Sequence, residues 1–223
     1  MFKTETHLHV KEASRCSHLY GADMMKLYAD ADYDTVFVTD HFKSDYFPTE
    51  RAMSWEEKVD FVYRGYLTAK EAGEALGLVV LFGVEVSLDT CPNHYLLYGV
   101  TREIMLRLPN LFEMTPEALY AFCQENGVTM VQAHPYRDGV CYPTPECVDA
   151  VEVNNPNPRH ENYDDKAIAL AKEWHLPMTS GSDAHRVEDV ARGGVMSEER
   201  ITSSEDYVRA LRSGSLVRMG ERV

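Results

Sequence analysis

The sequence predicts an α/β protein folded as a barrel, and three observations support that fold class. Short apolar runs alternate along the chain with stretches of helical periodicity, which is typical of a parallel sheet connected by helices. The apolar runs are mostly continuous, as expected of strands buried on both faces. Polar side chains stand at the ends of several runs, whereas an open sheet would concentrate them at one or two switch points.

The first part of the chain predicts strand, helix, strand and helix over residues 2–9, 21–31, 35–39 and 54–76, respectively. The first strand alternates between apolar and polar residues, and the second is a continuous apolar run. Both helices repeat apolar residues every three or four positions. A capping box of Ser54 and Glu57 begins the longer helix, and Gly77 follows its end.

The remaining predicted strands cover residues 78–86, 95–100, 128–133, 147–153, 177–180 and 215–219, and the remaining helices cover residues 116–126, 163–174 and 204–212. Pro116 after Thr115 is typical of a helix start, and Asn126 with Gly127 is a stop signal. Residues 43–53 are predicted to form a long loop that could cover the site.

Length and composition predict one globular domain spanning residues 1–223. We find no apolar run long enough to cross a membrane and no apolar signal-peptide core at the start, so we expect a cytoplasmic location and no membrane partner. The formal net charge of −14 disfavours long nucleic acid, because its binding requires a basic track.

The five cysteines are odd in number and form no C-x-x-C pair. This pattern argues against a disulfide framework and against a structural zinc knuckle. We therefore expect the thiols, Cys16 among them, to be buried or incidental.

Histidines gather with acids at the predicted strand ends. The clusters are His7-Leu8-His9, Thr39-Asp40-His41, Glu85, His94, Ala133-His134-Pro135 and Gly181-Ser182-Asp183-Ala184-His185. Imidazole and carboxylate groups together are ligands of first-row divalent ions. A single histidine is more often a satisfied polar residue, and we place His160 and His175 in that class. Six clusters at strand ends predict a polynuclear metal site.

Local spacing supports this interpretation. His7 and His9 are two positions apart on a strand, so their side chains would point to the same face and reach one ion. Glu85 lies within an apolar stretch, where an unpaired carboxylate is costly. We therefore expect Glu85 to be paired or to bind metal, and its two oxygens allow it to bridge two cations.

The ordered set of clusters resembles the PHP (polymerase and histidinol phosphatase) family. The resemblance runs from His7 to His185 and rests on H-x-H, T-D-H, a strand glutamate, two isolated histidines and G-S-D-A-H. It implies a distorted (β/α)7 TIM-like barrel. It also implies two or three divalent ions, of zinc, manganese or iron, at the C-terminal ends of the strands.

By position, the resemblance implies three metal positions. The first would be held by His7, His9, Glu85 and Asp183, the second by Glu85, His94 and His134, and the third by His41, His185 and a residue of the loop after His9. Many members carry an aspartate or histidine in that loop where this chain has Ser14 and Arg15. Glu12 and His18 are the candidates, and we prefer Glu12 because it is closer to the strand end.

Such a site predicts a hydrolase, namely a metal-dependent phosphoesterase or phosphatase. Two or three cations lower the pKa of a bound water, and the resulting hydroxide would attack phosphorus while the cations clamp phosphoryl oxygens. A metal-bound water or one of Asp183, His185 and His41 would assist the leaving alkoxide. The expected substrate is a small phosphomonoester or a short nucleotide, and short oligonucleotides stay open.

Two arginines are placed to position a phosphate. Arg137 follows His134 by three residues, and Arg186 directly follows His185. Arginine can match phosphate with two parallel hydrogen bonds. The alternative for Arg137 is a solvated loop arginine. Arg186 and Lys43 are weaker candidates than Arg137, and Arg159 is weaker still.

Two other functions remain open. The first is an amidohydrolase-like, metal-dependent hydrolase of C–N bonds, which would usually need a bridging lysine where this chain has Glu85. The second is a catalytically silent metal-binding module, which would normally lack some of the ligands.

Overall fold

The computed structural model describes residues 1–47 and 52–220. The strands of this part are β1 (Phe2–Glu5), β2 (Thr35–Val38), β3 (His41–Phe42), β4 (Val79–Ser87), β5 (His94–Tyr98), β6 (Thr129–Ala133), β7 (Ala150–Asn154), β8 (Met178–Ser180), β9 (Val195–Ser197) and β10 (Val217–Arg218). The helices are α1 (Gly21–Asp30), α2 (Trp55–Ala75), α3 (Arg102–Leu106), α4 (Pro116–Glu125), α5 (Asp164–Glu173) and α6 (Ser204–Ser213).

The strands form one sheet in the order β10-β9-β1-β2-β4-β5-β6-β7-β8, and β3 pairs with the far end of β4. The β1, β2 and β4 strands are mutually parallel, and so are β6, β7 and β8. Past the ends of β1 and β8, Leu8 bridges Ala184 in parallel, which nearly closes the sheet into a barrel. The predicted α/β barrel class is confirmed.

The junction between the ends of β1 and β8 also contains the buried carboxylate of Glu5. Its Oε1 accepts hydrogen bonds of 2.9 Å from the amides of Thr6, His7 and Ser182, and its Oε2 accepts one of 2.7 Å from the Tyr28 hydroxyl. Because Ser182 follows β8 and the other two amides follow β1, this carboxylate holds the two strand ends together.

The β5 strand runs antiparallel to both β4 and β6, whereas the alternation of elements had predicted a parallel sheet. Only residues 88–93 connect β4 to β5, and a parallel crossover needs a dozen residues or more. The reversal places His94, which begins β5, at the same end of the barrel as His134, which follows β6.

The sequence pattern did not predict β3, β9 or α3. The β3 strand has two residues, β9 has three and α3 has five, so none is long enough to show a period. Of the predicted loop at 43–53, residues 48–51 lie outside the described residues. No helix of the described residues is long and apolar enough to span a membrane.

Strand side chains alternate between two buried layers. In β5, Leu96 and Tyr98 join the layer that contains Tyr207 of α6, whereas Leu97 joins the layer that contains the α1 and α2 side chains. Glu85 lies directly opposite Leu96 in the β4–β5 register. Since paired strand residues share a face, the Glu85 carboxylate lies on the same side of the sheet as Leu96, which is the inner layer of the barrel.

Candidate metal centre

The structure brings together all the predicted metal ligands except Glu12. They fall into four overlapping groups whose ligand atoms lie within 4.8 Å of one another: His9, His41 and His185; His7, His9 and Glu85; His7, His134 and Asp183; and His41, Glu85 and His94. Each side chain lies at the same end of the barrel, where β1, β2, β4, β6 and β8 end and β5 begins. The groups therefore form one continuous centre.

Glu85 lies in the middle of this centre and is fully buried. Its Oε1 lies 3.0 Å from Nδ1 of His94 and 3.0 Å from Nε2 of His134. Its Oε2 lies 2.6 Å from Nδ1 of His41. One carboxylate thus reaches side chains from three different strand ends, which is the arrangement expected of a bridging ligand.

Asp183 forms the second acidic part of the centre. Its Oδ1 lies 3.2 Å from Nε2 of His9, and its Oδ2 accepts a 2.6 Å hydrogen bond from Nη2 of Arg137. Both Asp183, at φ +50°, and His134, at φ +28°, have left-handed backbone conformations. Non-glycine residues seldom adopt such conformations, and they concentrate at functional sites.

Neighbouring charges lower the pKa values of the two buried carboxyl groups in the centre. Burial acts to raise the pKa of Glu85, but His94, His41 and His7 outweigh it and hold the value well below its usual range. Burial also opposes the charged form of Asp183, yet Arg137 and His7 keep its pKa well below normal. Both carboxylates are therefore ionised at neutral pH and available to cations.

The pKa values of two histidines in the centre shift in opposite directions. Burial acts to lower the pKa of His7, but Glu152, Asp183 and Glu85 outweigh it and raise the value well above normal. Burial and the neighbouring His41 and His185 together keep the pKa of His9 well below normal. Without a cation, the proton on His7 balances part of the acidic charge.

The residues present fit a divalent cation. Among the described residues, Oε2 of Glu85 and Oδ1 of Asp183 are buried and have no hydrogen-bond donor. The Nε2 atoms of His7 and His9 face each other at 3.1 Å. Buried carboxylate oxygens without donors are costly, and a cation among nitrogen and oxygen ligands would satisfy them.

Comparisons with known proteins agree with this geometry. The family model PHP_C (PHP-associated) matches residues 161–216. No curated protein matches the sequence. Among solved structures, a two-domain protein from Bacteroides vulgatus containing a predicted PHP-like metal-dependent phosphoesterase is 16% identical with a TM-score of 0.66, covering 97% of this chain and 64% of its own.

Two further solved structures share the fold. The lesion-specific endonuclease PfuEndoQ from Pyrococcus furiosus is 15% identical with a TM-score of 0.70, covering 97% of this chain and 57% of its own. An amidohydrolase from Chromobacterium violaceum with bound sulfate is 16% identical with a TM-score of 0.57, covering 97% and 98%, respectively.

The PHP-associated family model and the fold of the PHP-like protein from B. vulgatus support a relationship to the PHP domain family. The resemblance predicted from the ordered histidine and acid motifs is confirmed, and with it the TIM-like barrel architecture.

Glu152 is a residue of the candidate centre that the sequence interpretation missed. Its Oε1 lies 2.9 Å from Nδ1 of His7, and its Oε2 accepts a 3.1 Å hydrogen bond from the amide of His134. A carboxylate that orients a ligating histidine fixes its tautomer. One signal was available, because Glu152 interrupts the apolar strand Ala150–Asn154 just as Glu85 interrupts its own strand.

Glu12 lies outside the four groups of candidate metal ligands. Both of its carboxylate oxygens accept from the amide of Gly21, at 3.1 and 3.0 Å, and this amide begins α1. The attraction between an acid and a helix N-terminus accounts for this position. The preferred third-position ligand is thus engaged elsewhere in this structure, and His18, the alternative, is also absent from the groups.

The two histidines that were left out of the predicted site also lie outside these groups. Nδ1 of His160 pairs with Oδ2 of Asp138 at 2.7 Å, and His175 lies just past the end of α5. Neither belongs to any of the four groups.

The predicted phosphate-binding arginines differ in their surroundings. Arg137 donates through Nη2 to Asp183 and through Nε to Oδ1 of Asn162 at 3.0 Å, so much of its guanidinium is engaged. The Arg186 side chain is 40% exposed, and its Nη1 lies 3.9 Å from Glu188. Arg186 is therefore the more available of the two, and Arg137 also positions Asp183.

Cys16 lies against this centre, although the cysteine pattern had predicted incidental thiols. Burial acts to raise the pKa of its thiol, but contacts with His185 and His41 outweigh it and lower the pKa to about 5. The Tyr46 hydroxyl contacts the same sulfur. A single cysteine outside any motif carries no sequence signal of this kind.

Proposed function

We propose that this protein is a metal-dependent phosphoesterase that hydrolyses a small phosphomonoester or a short nucleotide. The observation that carries the proposal is a pair of buried carboxylates, Glu85 and Asp183, each with one oxygen that lacks a donor among the described residues. Six histidines surround them. The PHP-like phosphoesterase of B. vulgatus, which shares the fold, supports this reaction class.

Three cation positions are proposed for the centre. His7, His9, Glu85 and Asp183 would hold the first, Glu85, His94 and His134 the second, and His41 and His185 part of the third. Divalent ions there would supply charge neutralisation and a lowered pKa for water. Glu152 accepts a hydrogen bond from the protonated Nδ1 of His7, which leaves the lone pair on Nε2 available for a cation.

Arg137 and Arg186 would position the phosphoryl group. The Arg137 guanidinium lies beside Asp183, and Arg186 is exposed next to His185. Both guanidinium groups would attract the anionic substrate locally, despite the net charge of −14 on the whole chain. Arg186 has the free donors for phosphate oxygens, whereas Arg137 shares its donors with Asp183.

His41 and His185 are proposed to protonate the leaving oxygen when the third position is empty. Their Nε2 atoms lie 3.4 Å apart at the rim of the centre, and each residue is 8% exposed. A histidine whose lone pair holds a cation cannot release a proton from that nitrogen. Occupancy of the third position therefore decides whether these histidines act as acids or as ligands.

Hydrolysis of a C–N bond is the second candidate function. The shared fold of the C. violaceum amidohydrolase favours it. The carboxylate at position 85 favours phosphoester chemistry instead, because C–N hydrolases of this type would usually need a lysine there. The third candidate function is a metal-binding module without catalytic activity.

A direct assay tests these candidates. Demetallated protein, reloaded with Zn²⁺ or Mn²⁺, should hydrolyse an aryl phosphate, and His9→Ala should lose metal and turnover together. His160→Ala, which alters a histidine outside the centre, serves as the matched control. Absence of phosphate-ester turnover with every divalent ion, despite bound metal, would overturn the proposal. Turnover of amide substrates alone would favour the second candidate, and turnover of short oligonucleotides would extend the substrate class.

A further inference from the structure

The loop between β7 and α5 contains three buried asparagines, Asn155, Asn157 and Asn162, each no more than 2% exposed. A buried side-chain amide is costly unless its donors and its acceptor are satisfied. The contacts of these amides therefore show what the loop holds in place. They reach the Glu152 carboxylate, the Asp183 carbonyl and the Arg137 guanidinium.

The amide of Asn162 is fixed at both of its ends. Its Nδ2 donates to the carbonyl of Asn155 at 2.6 Å, and its Oδ1 accepts from Nε of Arg137 at 3.0 Å. Asn155 in turn donates through its own Nδ2 to Oε2 of Glu152 at 2.9 Å. Because a flip of the Asn162 amide would break both of its hydrogen bonds, its oxygen is held toward Arg137.

The two turns that contain Arg137 and Asn162 are joined through their backbones. The amide of Asp138 donates to the carbonyl of Glu161 at 2.7 Å, and the amide of Glu161 donates to Oδ1 of Asp138 at 3.0 Å. Asp138, at φ +52°, and Tyr163, at φ +51°, are both left-handed and directly follow the two contact residues. Such conformations persist only where the surrounding structure holds them, so both turns are fixed.

The Arg137 guanidinium is held by two of its three nitrogens. Nε donates to Asn162, and Nη2 donates to Oδ2 of Asp183 at 2.6 Å. In the part of the chain that the structure describes, Nη1 has no hydrogen-bond partner, and the side chain is 14% exposed. Contacts at two different nitrogens fix the plane of the group. Its open donors are therefore already oriented, which reduces the cost of ordering when an anion binds.

We propose that Asn162 is a positioning residue that orients Arg137 so that Nη1 can bind a phosphoryl oxygen. This inference rests on the proposed phosphoesterase function and concerns a residue outside the groups of possible metal ligands. Asp183 alone would leave the guanidinium free to rotate about a single contact. Asn162 supplies the second fixed point, and its neutral amide leaves the charge of Arg137 available for an anion.

A double-mutant cycle separates the orientation of Arg137 from general support of the loop. Asn162→Ala should raise the KM for an aryl phosphate and the Kd of metal-loaded protein for inorganic phosphate, each by about 3–10-fold, with a smaller change in kcat. In an Arg137→Ala background the same substitution should change neither constant, because the side chain that it orients is absent. Equal effects in the two backgrounds would overturn the proposal.

Asn126→Ala is the matched control for this cycle. Asn126 also accepts a hydrogen bond from an arginine, Arg107, but it lies before β6 begins, whereas the centre lies where β6 ends. Its removal should leave the KM and the Kd for phosphate unchanged. A rise as large as that in Asn162→Ala would overturn the specific role given to Asn162.

Proton exchange in the wild-type protein tests the orientation without a variant of Asn162. The Nε proton of Arg137, assigned by its absence from Arg137→Lys, should exchange slowly with water before phosphate is added, and fast exchange would overturn the proposal. Phosphate binding that depends on Asn162, without ester hydrolysis by wild-type protein, would refute the proposed function and leave the positioning role. Hydrolysis with unchanged constants in Asn162→Ala would do the reverse.

Discussion

Single residues of the candidate centre divide into those that face the proposed cation positions and those that hold these side chains in place. Glu152 is of the second kind, because its two oxygens fix the ring of His7 and the backbone of His134. It also accepts a 2.9 Å hydrogen bond from Nδ2 of Asn155. Its loss would leave His7 free to rotate or to change tautomer.

We expect Glu152→Gln to weaken metal affinity by about 10–100-fold, the range found for partners of ligating histidines. The amide keeps the volume but removes the charge that stabilises the proton on His7. Competition with a chromogenic chelator measures the affinity. Glu125→Gln, at an exposed position outside every group of possible ligands, is the control and should bind normally. Equal affinities for the two variants would contradict the role given to Glu152.

Arg137 makes the pH dependence of metal retention testable. The Arg137 guanidinium helps to hold the pKa of Asp183 well below its usual range, so its removal raises that pKa. Protons then compete with the cation at a higher pH. We expect Arg137→Ala to release metal at a higher pH than wild-type protein during acidification, and to raise the KM for phosphate esters.

Arg186→Ala provides the comparison for that experiment. Because the Arg186 side chain is exposed and does not contact Asp183 in the described residues, its removal should raise KM alone. Metal content as a function of pH, measured on dialysed samples, separates the two variants. Identical release curves for Arg137→Ala and wild-type protein would refute the coupling.

The sequence predicted the residues that face the centre better than those that support it. His7, His9, Glu85 and Asp183 stand in short motifs whose chemistry is readable without a structure. The position of Cys16 beside His41 and His185 depends on a loop that folds back onto two distant strand ends, and no local pattern encodes that approach. Glu12 was chosen for its closeness along the chain, whereas the α1 N-terminus determines where its carboxylate lies.

The α2 helix packs closely against its neighbours at Gly73. A Cβ added to Gly73 would lie 2.4 Å from Cγ2 of Val80 and 3.2 Å from Cγ of Met25. These atoms belong to β4 and α1, so the glycine permits three elements to meet. Helix propensity alone would favour alanine at this position by about 1 kcal/mol.

We expect Gly73→Ala to destabilise the protein by about 1–3 kcal/mol, because overcrowding of a packed core outweighs the gain in propensity. The free energy of unfolding in urea measures the effect. Glu74→Ala, at the next and exposed position of the same helix, should change it by less than about 0.5 kcal/mol. A stabilised Gly73→Ala would show that α2 can move away from β4.

The long elements were predictable to within a residue or two. The α2 helix begins after Ser54, whose side chain and that of Glu57 form the expected capping box. The direction of β5 was not predictable from apolar runs, since a strand has the same period in either direction. The length of the connection before it was the available signal.

For the whole molecule, metal binding is expected to contribute to stability. The proposed ligands come from six strand ends, so a cation would bind the folded chain and not the unfolded one. At 100 times the dissociation constant this linkage contributes about 2.7 kcal/mol. For a chain of this length, that corresponds to a rise in Tm of roughly 5–10 °C.

Thermal unfolding of demetallated and Zn²⁺-loaded protein, followed by circular dichroism, measures that shift. His9→Ala should show little or none of it, because it lacks a ligand of the first position. An unchanged Tm on loading of the wild-type protein would contradict the view that the centre joins these strand ends.

The junction between the first and last strands of the barrel has a consequence for local opening. There, Leu8 bridges Ala184, the amide of His9 donates to the Ala184 carbonyl at 3.0 Å, and the Glu5 carboxylate accepts amides from both sides. Hydrogen exchange at His9 and Ser182 would therefore report when the ring of strands separates. A cation bound by both His7 and Asp183 would slow that exchange more than it slows exchange in α2. The ions proposed for catalysis would then also hold the ends of β1 and β8 together.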